Sequence, residues 1–195
     1  MTTHLLYLHG FRSSPQSGKA RQLGAWIAAH RPDVHWWCPQ LPPSPRAAVQ
    51  LALEGVAGWP RDGMALVGSS LGGFYATVLA ERLGCPAVLL NPAVEPARDL
   101  APYVGEIEAW HSGERIEFRP EYIADLAAMR PAAITRPQRY FAVIAKGDEV
   151  LDWREMAARY AGCRIKLIEG GDHALGDFAE AHLTDVAGFL QLTSG

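Results

Sequence analysis

Leu66-Val67-Gly68-Ser69-Ser70-Leu71-Gly72-Gly73 carries the residue types that could do chemistry at the tightest spacing in the chain. Ser70 stands in a G-x-S-x-G frame, whereas Ser69 is flanked at the same distances by Val67 and Leu71, so the frame singles out Ser70. Such a frame predicts a strand, a sharp turn and a helix. The serine at the apex is forced into an unfavourable backbone conformation, and strand and helix approach so closely that Gly68 and Gly72 have no room for side chains. The turn lifts the hydroxyl clear of the sheet and aims the first N–H groups of the helix, that of Leu71 foremost, at the place where a tetrahedral oxyanion would form. The plain alternative is an ordinary glycine-rich strand-to-helix turn, and the rest of the chain has to decide.

A nucleophilic serine needs a histidine as base and an acid to orient it, in the chain order serine, acid, histidine. Ala145-Lys146-Gly147-Asp148 puts Asp148 just past an apolar run that starts at Tyr140, and Glu169-Gly170-Gly171-Asp172-His173 puts His173 just past the next one. Three candidate groups therefore follow three different strands. Glu149, Asp152 and Asp172 rival Asp148 for the acid role; Asp148 is preferred because it directly follows a glycine at a strand end. Read singly, an aspartate in a Gly-Asp loop is a turn former and a loop histidine is solvated. A second oxyanion donor should come from the loop after the first strand, where the N–H of Phe11 lies beside flexible Gly10; one such donor is worth roughly 2.7–4 kcal/mol in the transition state. The His9 imidazole has no evident task and reads as structural.

The elements that must position these groups follow from patterning. Short apolar runs at His4–Leu8, Val34–Cys38, Ala65–Val67, Ala87–Leu90, Tyr140–Ala145 and Arg164–Ile168 read as strands. Helical spacing fills the intervals, at Lys19–His30, Pro45–Val56, Gly72–Leu83, Asp152–Tyr160 and Asp177–Leu190. Strand and helix alternate, so the sheet should be parallel, covered on both faces, with the loops after each strand on one edge. From Ala93 to about Arg136 the rhythm breaks: no buried strand is evident, six residues are Pro or Gly, and helical patches lie around Tyr103–His111 and Glu121–Met129. This stretch, about residues 93–136, reads as a short helical cap inserted over a site. Trp110, Phe118, Tyr122, Ile123 and Met129 could line an acyl pocket there, or could equally pack helices.

Composition narrows the class. The 195 residues are enough for one domain, 49% hydrophobic and 20% charged, and a net charge of −3 offers no attraction to nucleic acid or an acidic membrane. Three scattered cysteines, Cys38, Cys85 and Cys163, form no disulfide framework and suit a reducing, cytoplasmic setting. A first strand near His4 leaves no room for a signal peptide, and no apolar run approaches the ~18 residues of a membrane span. Seven histidines show no metal-ligand spacing, six tryptophans read as packing, and Gly18-Lys19 lacks the flanking residues of a phosphate loop, so no metal or cofactor is expected. In the cap, arginines are matched by acids, which argues against a phosphate-binding patch for coenzyme A.

The segments Tyr7-Leu8-His9-Gly10-Phe11, Ser13-Ser14-Pro15, Pro39-Gln40-Leu41-Pro42, Gly68 to Ala76, Leu90-Asn91-Pro92-Ala93, Gly147 to Asp152 and Gly171-Asp172-His173 together resemble the small bacterial YqiA-like esterases of the α/β-hydrolase superfamily. The resemblance covers nearly the whole chain and is weakest from about Ala97 to Thr135. It implies a three-layer α/β-hydrolase sandwich with a six-stranded sheet in the order 2-1-3-4-5-6, lacking the first two strands of larger relatives. It also implies an intracellular serine esterase acting on short acyl esters and acyl-CoA thioesters, with Ser70, Asp148 and His173 matching the family's triad. An amidase or peptidase with the same triad, and a binding protein that kept the fold and lost the reaction, stay open as alternatives. The oligomeric state is left open.

Overall fold

The structure, a computed structural model, describes residues 1–110 and 112–193. Its centre is a parallel sheet of six strands: β1 (His4–Leu8), β2 (His35–Trp37), β3 (Met64–Ser69), β4 (Ala87–Leu90), β7 (Tyr140–Ala145) and β8 (Arg164–Ile168). They lie in the order β2-β1-β3-β4-β7-β8. Counting only these strands, this is the expected 2-1-3-4-5-6. Every neighbouring pair is parallel, and the registers pair Leu8 with Gly68 and Ser69 with Leu90, which brings the ends of β1, β3 and β4 level.

Both faces are covered because the strands are apolar on both. Leu6, Leu8, Leu66, Leu89, Ala142 and Ile144 meet α2 (Pro45–Gly55), α3 (Leu71–Leu83) and α6 (Trp153–Arg159) on one side. Leu5, Tyr7, Ala65, Val67, Val88, Leu90 and Val143 meet α1 (Gly18–His30), α7 (Phe178–Ala181) and α8 (Leu183–Phe189) on the other. Each Leu, Ile or Val among them contributes about 1.5–3 kcal/mol on leaving water. Helix ends follow local chemistry: Ser44 accepts from Ala47 N–H at the start of α2, Asp152 from Arg154 N–H before α6, and Gly84 closes α3 at φ 76°.

Two expectations need correction. The C-terminal helix over Asp177–Leu190 is broken at His182, whose φ of −129° is not helical. Phe178 and Leu183 are both buried but five residues apart, a spacing that would put them on different faces of one continuous helix; the break lets both point inward. The cap is not purely helical either. After α4 (Pro96–Leu100) come two antiparallel strands, β5 (Gly105–Glu108) and β6 (Arg115–Phe118), and then α5 (Pro120–Met129). The patch expected to be helical around Tyr103–His111 instead contains strand β5, His111 itself lying outside the described residues, whereas the patch at Glu121–Met129 falls in α5. The hairpin forms because Glu106-Ile107-Glu108 and Arg115-Ile116-Glu117-Phe118 alternate polar and apolar about a turn, placing Ile107 opposite Ile116.

Candidate active site

Ser70 sits between β3 and α3 at φ 56°, ψ −121°, a conformation that costs a non-glycine residue on the order of 1–3 kcal/mol. The surroundings hold it there. Its N–H donates to Leu90 O at 3.0 Å, and its carbonyl accepts from Gly73, Phe74 and Ala93 N–H at 2.9, 3.3 and 3.0 Å. A Cβ on Gly68 would stand 2.1 Å from Gly72 O, and one on Gly72 would stand 1.9 Å from Leu8 O. Only glycine permits β1, β3 and α3 to meet this closely.

The loops after β7 and β8 bring two further groups to the serine. His173 Nε2 lies 3.0 Å from Ser70 Oγ, and His173 Nδ1 lies 2.7 Å from Asp148 Oδ2. The Asp148 side chain has no solvent exposure, and its other oxygen accepts the N–H groups of Val150 and Leu151, both at 2.8 Å. With a carboxylate facing Nδ1, the proton belongs on Nδ1, which leaves the Nε2 lone pair toward Ser70. The rival acids are engaged elsewhere. Glu149 accepts the backbone N–H of His173 at 2.9 Å, Asp152 caps α6, and Asp172 accepts Gly176 N–H at 3.2 Å.

Side chains to which sequence reasoning gave no role pin the backbone of the histidine loop. Asn91, fully buried at the end of β4, donates from Nδ2 to the carbonyls of Asp172 at 3.0 Å and His173 at 3.2 Å, while its Oδ1 accepts Ala145 N–H at 2.8 Å. Lys19, in the first turn of α1, donates to the carbonyl of Ala174. Burial pushes the Lys19 ammonium down to about 8, against the opposing pull of Asp172 and Asp148, so below that pH it is a cation beside the histidine loop. His9, read as structural, holds the first loop: Leu41 N–H donates to its Nε2 at 2.9 Å, which places the proton on Nδ1, 2.9 Å from Gly10 O. The only signals for these residues were a polar side chain at a strand end and a cation near a helix start.

Gly10 lies directly against the serine, a Cβ there being 3.3 Å from Ser70 Cβ and 3.8 Å from its Oγ. Among the described residues no hydrogen bond uses the N–H of Phe11 or of Leu71. Both residues line a pocket of about 650 Å³ that opens on Ser70 and His173. Its lining includes polar Ser13, Lys19 and Gln22 and apolar Pro96, Leu100 and Leu151. Trp110 lies at this pocket and is 63% exposed. Phe118 and Tyr122 do not line it. Phe118 is 1% exposed and packs edge-on against Phe11 at 5.0 Å and Tyr122 at 5.5 Å, inside the junction of cap and sheet domain. Ile123 and Met129 likewise pack against the core. The reason is periodicity: Phe118 alternates with exposed Glu117 in β6, so it must face inward. Among the described residues no group of three or more His, Cys, Asp or Glu is arranged to hold a metal, and no helix is long and apolar enough to cross a membrane.

Residues 4–191 match the model of an uncharacterised protein family, UPF0227, the YqiA-like family. The chain belongs to UPF0227. Solved structures place this UPF0227 member in the α/β-hydrolase fold. A putative hydrolase from Agrobacterium vitis S4 superimposes with a TM-score of 0.75 at 18% identity, over 96% of this chain and 87% of that one. Mouse alpha/beta hydrolase domain-containing protein 10 gives 0.74 at 15% identity, over 100% and 92%. Est1E from Butyrivibrio proteoclasticus, with ferulic acid bound, gives 0.65 at 16% identity, over 97% and 86%. At these identities the likeness is one of fold.

Proposed function

We propose that this UPF0227 member is a serine hydrolase that cleaves carboxylic esters, acyl thioesters among them, through Ser70, His173 and Asp148. One observation carries the reading: the 3.0 Å and 2.7 Å contacts that link the three side chains in line at the floor of a pocket large enough for a small substrate. Structural neighbours described as esterases support the same class.

In this reading Ser70 Oγ attacks the carbonyl carbon while His173 Nε2 takes its proton. Asp148 holds the imidazole in the Nδ1–H tautomer and stabilises the imidazolium. The N–H groups of Phe11 and Leu71 receive the oxyanion. His173 then returns the proton to the departing alkoxide or thiolate, leaving an acyl-Ser70. Water, deprotonated by the same histidine, attacks the acyl carbon and releases the carboxylic acid. The free thiols of Cys38, Cys85 and Cys163 suit a cytoplasmic setting.

Initial rates of wild type and Ser70→Ala on p-nitrophenyl esters and acyl-CoAs of graded length test it. Turnover by wild type that falls on the order of 10⁶-fold in kcat in Ser70→Ala is the expected result. Wild type inert across the panel, or a mutant of equal rate, refutes it.

A further inference from the structure

The loop that carries the Phe11 N–H is held from above as well as below. Ser13 N–H donates to Gly10 O at 3.3 Å and closes a turn over residues 10–13. Arg12 occupies the third position of that turn at φ 59°, where glycine is the favoured residue. A bulky residue in this conformation raises the question of what its side chain does.

Both ends of Arg12 are bonded to the cap hairpin. Its carbonyl accepts Trp110 N–H at 2.9 Å, its Nε donates to the carbonyl of Glu108 at 2.5 Å, and its guanidinium lies 5.4 Å from the centre of the Trp110 ring. The neighbouring Phe11 ring is gripped by the same insertion, edge-on to Tyr103 at 5.5 Å and to Phe118 at 5.0 Å. From below, Gly10 touches Ser70 and its carbonyl faces the His9 ring. The Phe11 N–H thus belongs to a peptide unit whose direction is set between a sheet-side anchor at Gly10 and a cap-side anchor at Arg12.

We infer that Arg12 is a positioning residue through which the cap hairpin sets the direction of the Phe11 oxyanion donor. This rests on the serine hydrolase reading above. Without the guanidinium bond the loop loses its side-chain ties to the cap, which lets the Phe11–Arg12 segment, and with it the donor, turn away from Ser70. The cap then does more than wall the pocket: it completes the oxyanion hole.

Arg12→Gly separates this role from simple turn filling, because the two give opposite results. A glycine at φ 59° relieves strain, so a turn-filling Arg12 predicts wild-type kcat and equal or higher Tm. A positioning Arg12 predicts that kcat on a p-nitrophenyl ester falls about 30-fold, below the 10²–10³ for outright loss of a donor. KM should stay within about twofold, as expected when only transition-state binding is lost. Affinity for an alkyl trifluoromethyl ketone, whose Ser70 adduct carries the oxyanion, should fall by the same factor as kcat, with Tm unchanged or raised. Wild-type kcat and ketone affinity in Arg12→Gly overturn the inference, as does a parallel loss of kcat, KM and Tm. If wild type neither hydrolyses esters nor forms the ketone adduct, the hydrolase reading fails and this inference with it, an outcome distinct from an active wild type with an indifferent Arg12→Gly.

Discussion

The floor of the pocket and the hairpin above it are built on different physics. On the floor, Gly68 and Gly72 let backbone touch backbone, Asn91 is fully buried with three hydrogen bonds, and the Asp148 carboxylate has no solvent exposure and three donors around it. In the hairpin, Glu106, Glu108, Arg115 and Glu117 are exposed, and among its described residues Phe118 is the only fully inward side chain. Buried hydrogen bonds in low dielectric are costly to break, whereas exposed charges exchange freely with water. The comparison separates a part that fixes where reacting groups stand from a part free to vary in sequence, provided it keeps Phe118 and its links to Arg12.

Substitutions on the floor should therefore be felt in chemistry. The largest effect is expected from Asp148→Asn. An amide can still accept from Val150 or Leu151 N–H, but turns an NH₂ toward His173 Nδ1 and favours the wrong tautomer. We expect kcat on a p-nitrophenyl ester to fall about 10⁴-fold with far-UV circular dichroism unchanged. A rate near wild type would move the acid role to a neighbour. Next comes Asn91→Ala, which leaves Ala145 N–H and the carbonyls of Asp172 and His173 without these partners. A stability loss of about 1–3 kcal/mol in urea unfolding is expected, because Ala145 N–H is the buried one of the three and an orphaned buried group costs about that much. The shifted His173 loop should lower kcat by about 100-fold, as displacement of a positioned group by about 1 Å does. Lost stability with wild-type kcat would show that Glu149 and Lys19 suffice to hold the loop.

The same contrast explains what could be read from the chain without its structure. The positions of Ser70, Asp148 and His173 at one sheet edge were legible because glycines and strand ends mark them locally. The role of Asn91 was not, and for His9 only a structural role was legible and not its partner, because the contacts lie far along the chain: Asn91 reaches residues 145, 172 and 173, and His9 reaches Leu41. The hairpin was misread for a different reason. Tyr103, Ile107 and Trp110 recur at i, i+4 and i+7, which imitates a helix, while the two-residue alternation in Glu106-Ile107-Glu108 is too short to outweigh it. The partner strand, with Gly113 in the turn, was the missing signal. For Phe118 and Tyr122 pocket lining and packing both stay open in the sequence because aromatic residues suit either, and only tertiary packing decides for the core.

Between floor and cap, Glu81 of α3 ties down the chain where the cap returns to the sheet. It accepts from Thr135 Oγ1 at 2.6 Å and from Tyr140 Oη at 2.5 Å. Burial alone would raise its carboxyl, but the hydrogen bonds from Thr135 and Tyr140 and the nearby Arg139 outweigh that and hold it below its ordinary value. A carboxyl depressed in the folded state stabilises the fold above its unfolded pKa, and that stability is lost as pH falls through the folded value. Wild type should therefore have a higher urea midpoint than Glu81→Gln at pH 6, and the gap should close as the pH is taken below about 4, near the ordinary carboxylate range. A gap that persists in acid would mean that shape, not charge, makes the contact.

The smallest effect should lie in the hairpin itself. Arg115 Nη1 and Glu106 Oε2 face each other across β5 and β6 at 3.7 Å with side chains 80% and 74% exposed. In water such a pair gains little Coulomb energy and has to immobilise two long side chains, so a double-mutant cycle with Arg115→Ala and Glu106→Ala should give a coupling below about 0.5 kcal/mol. Ester turnover should stay at the wild-type rate, because neither side chain reaches Arg12, Phe11 or the pocket. A coupling above about 1 kcal/mol, or a changed kcat, would mean that the hairpin's outer face helps hold Glu108 O and Trp110 N–H in place for Arg12. The boundary between the two regions would then have to be drawn outside the hairpin rather than along it.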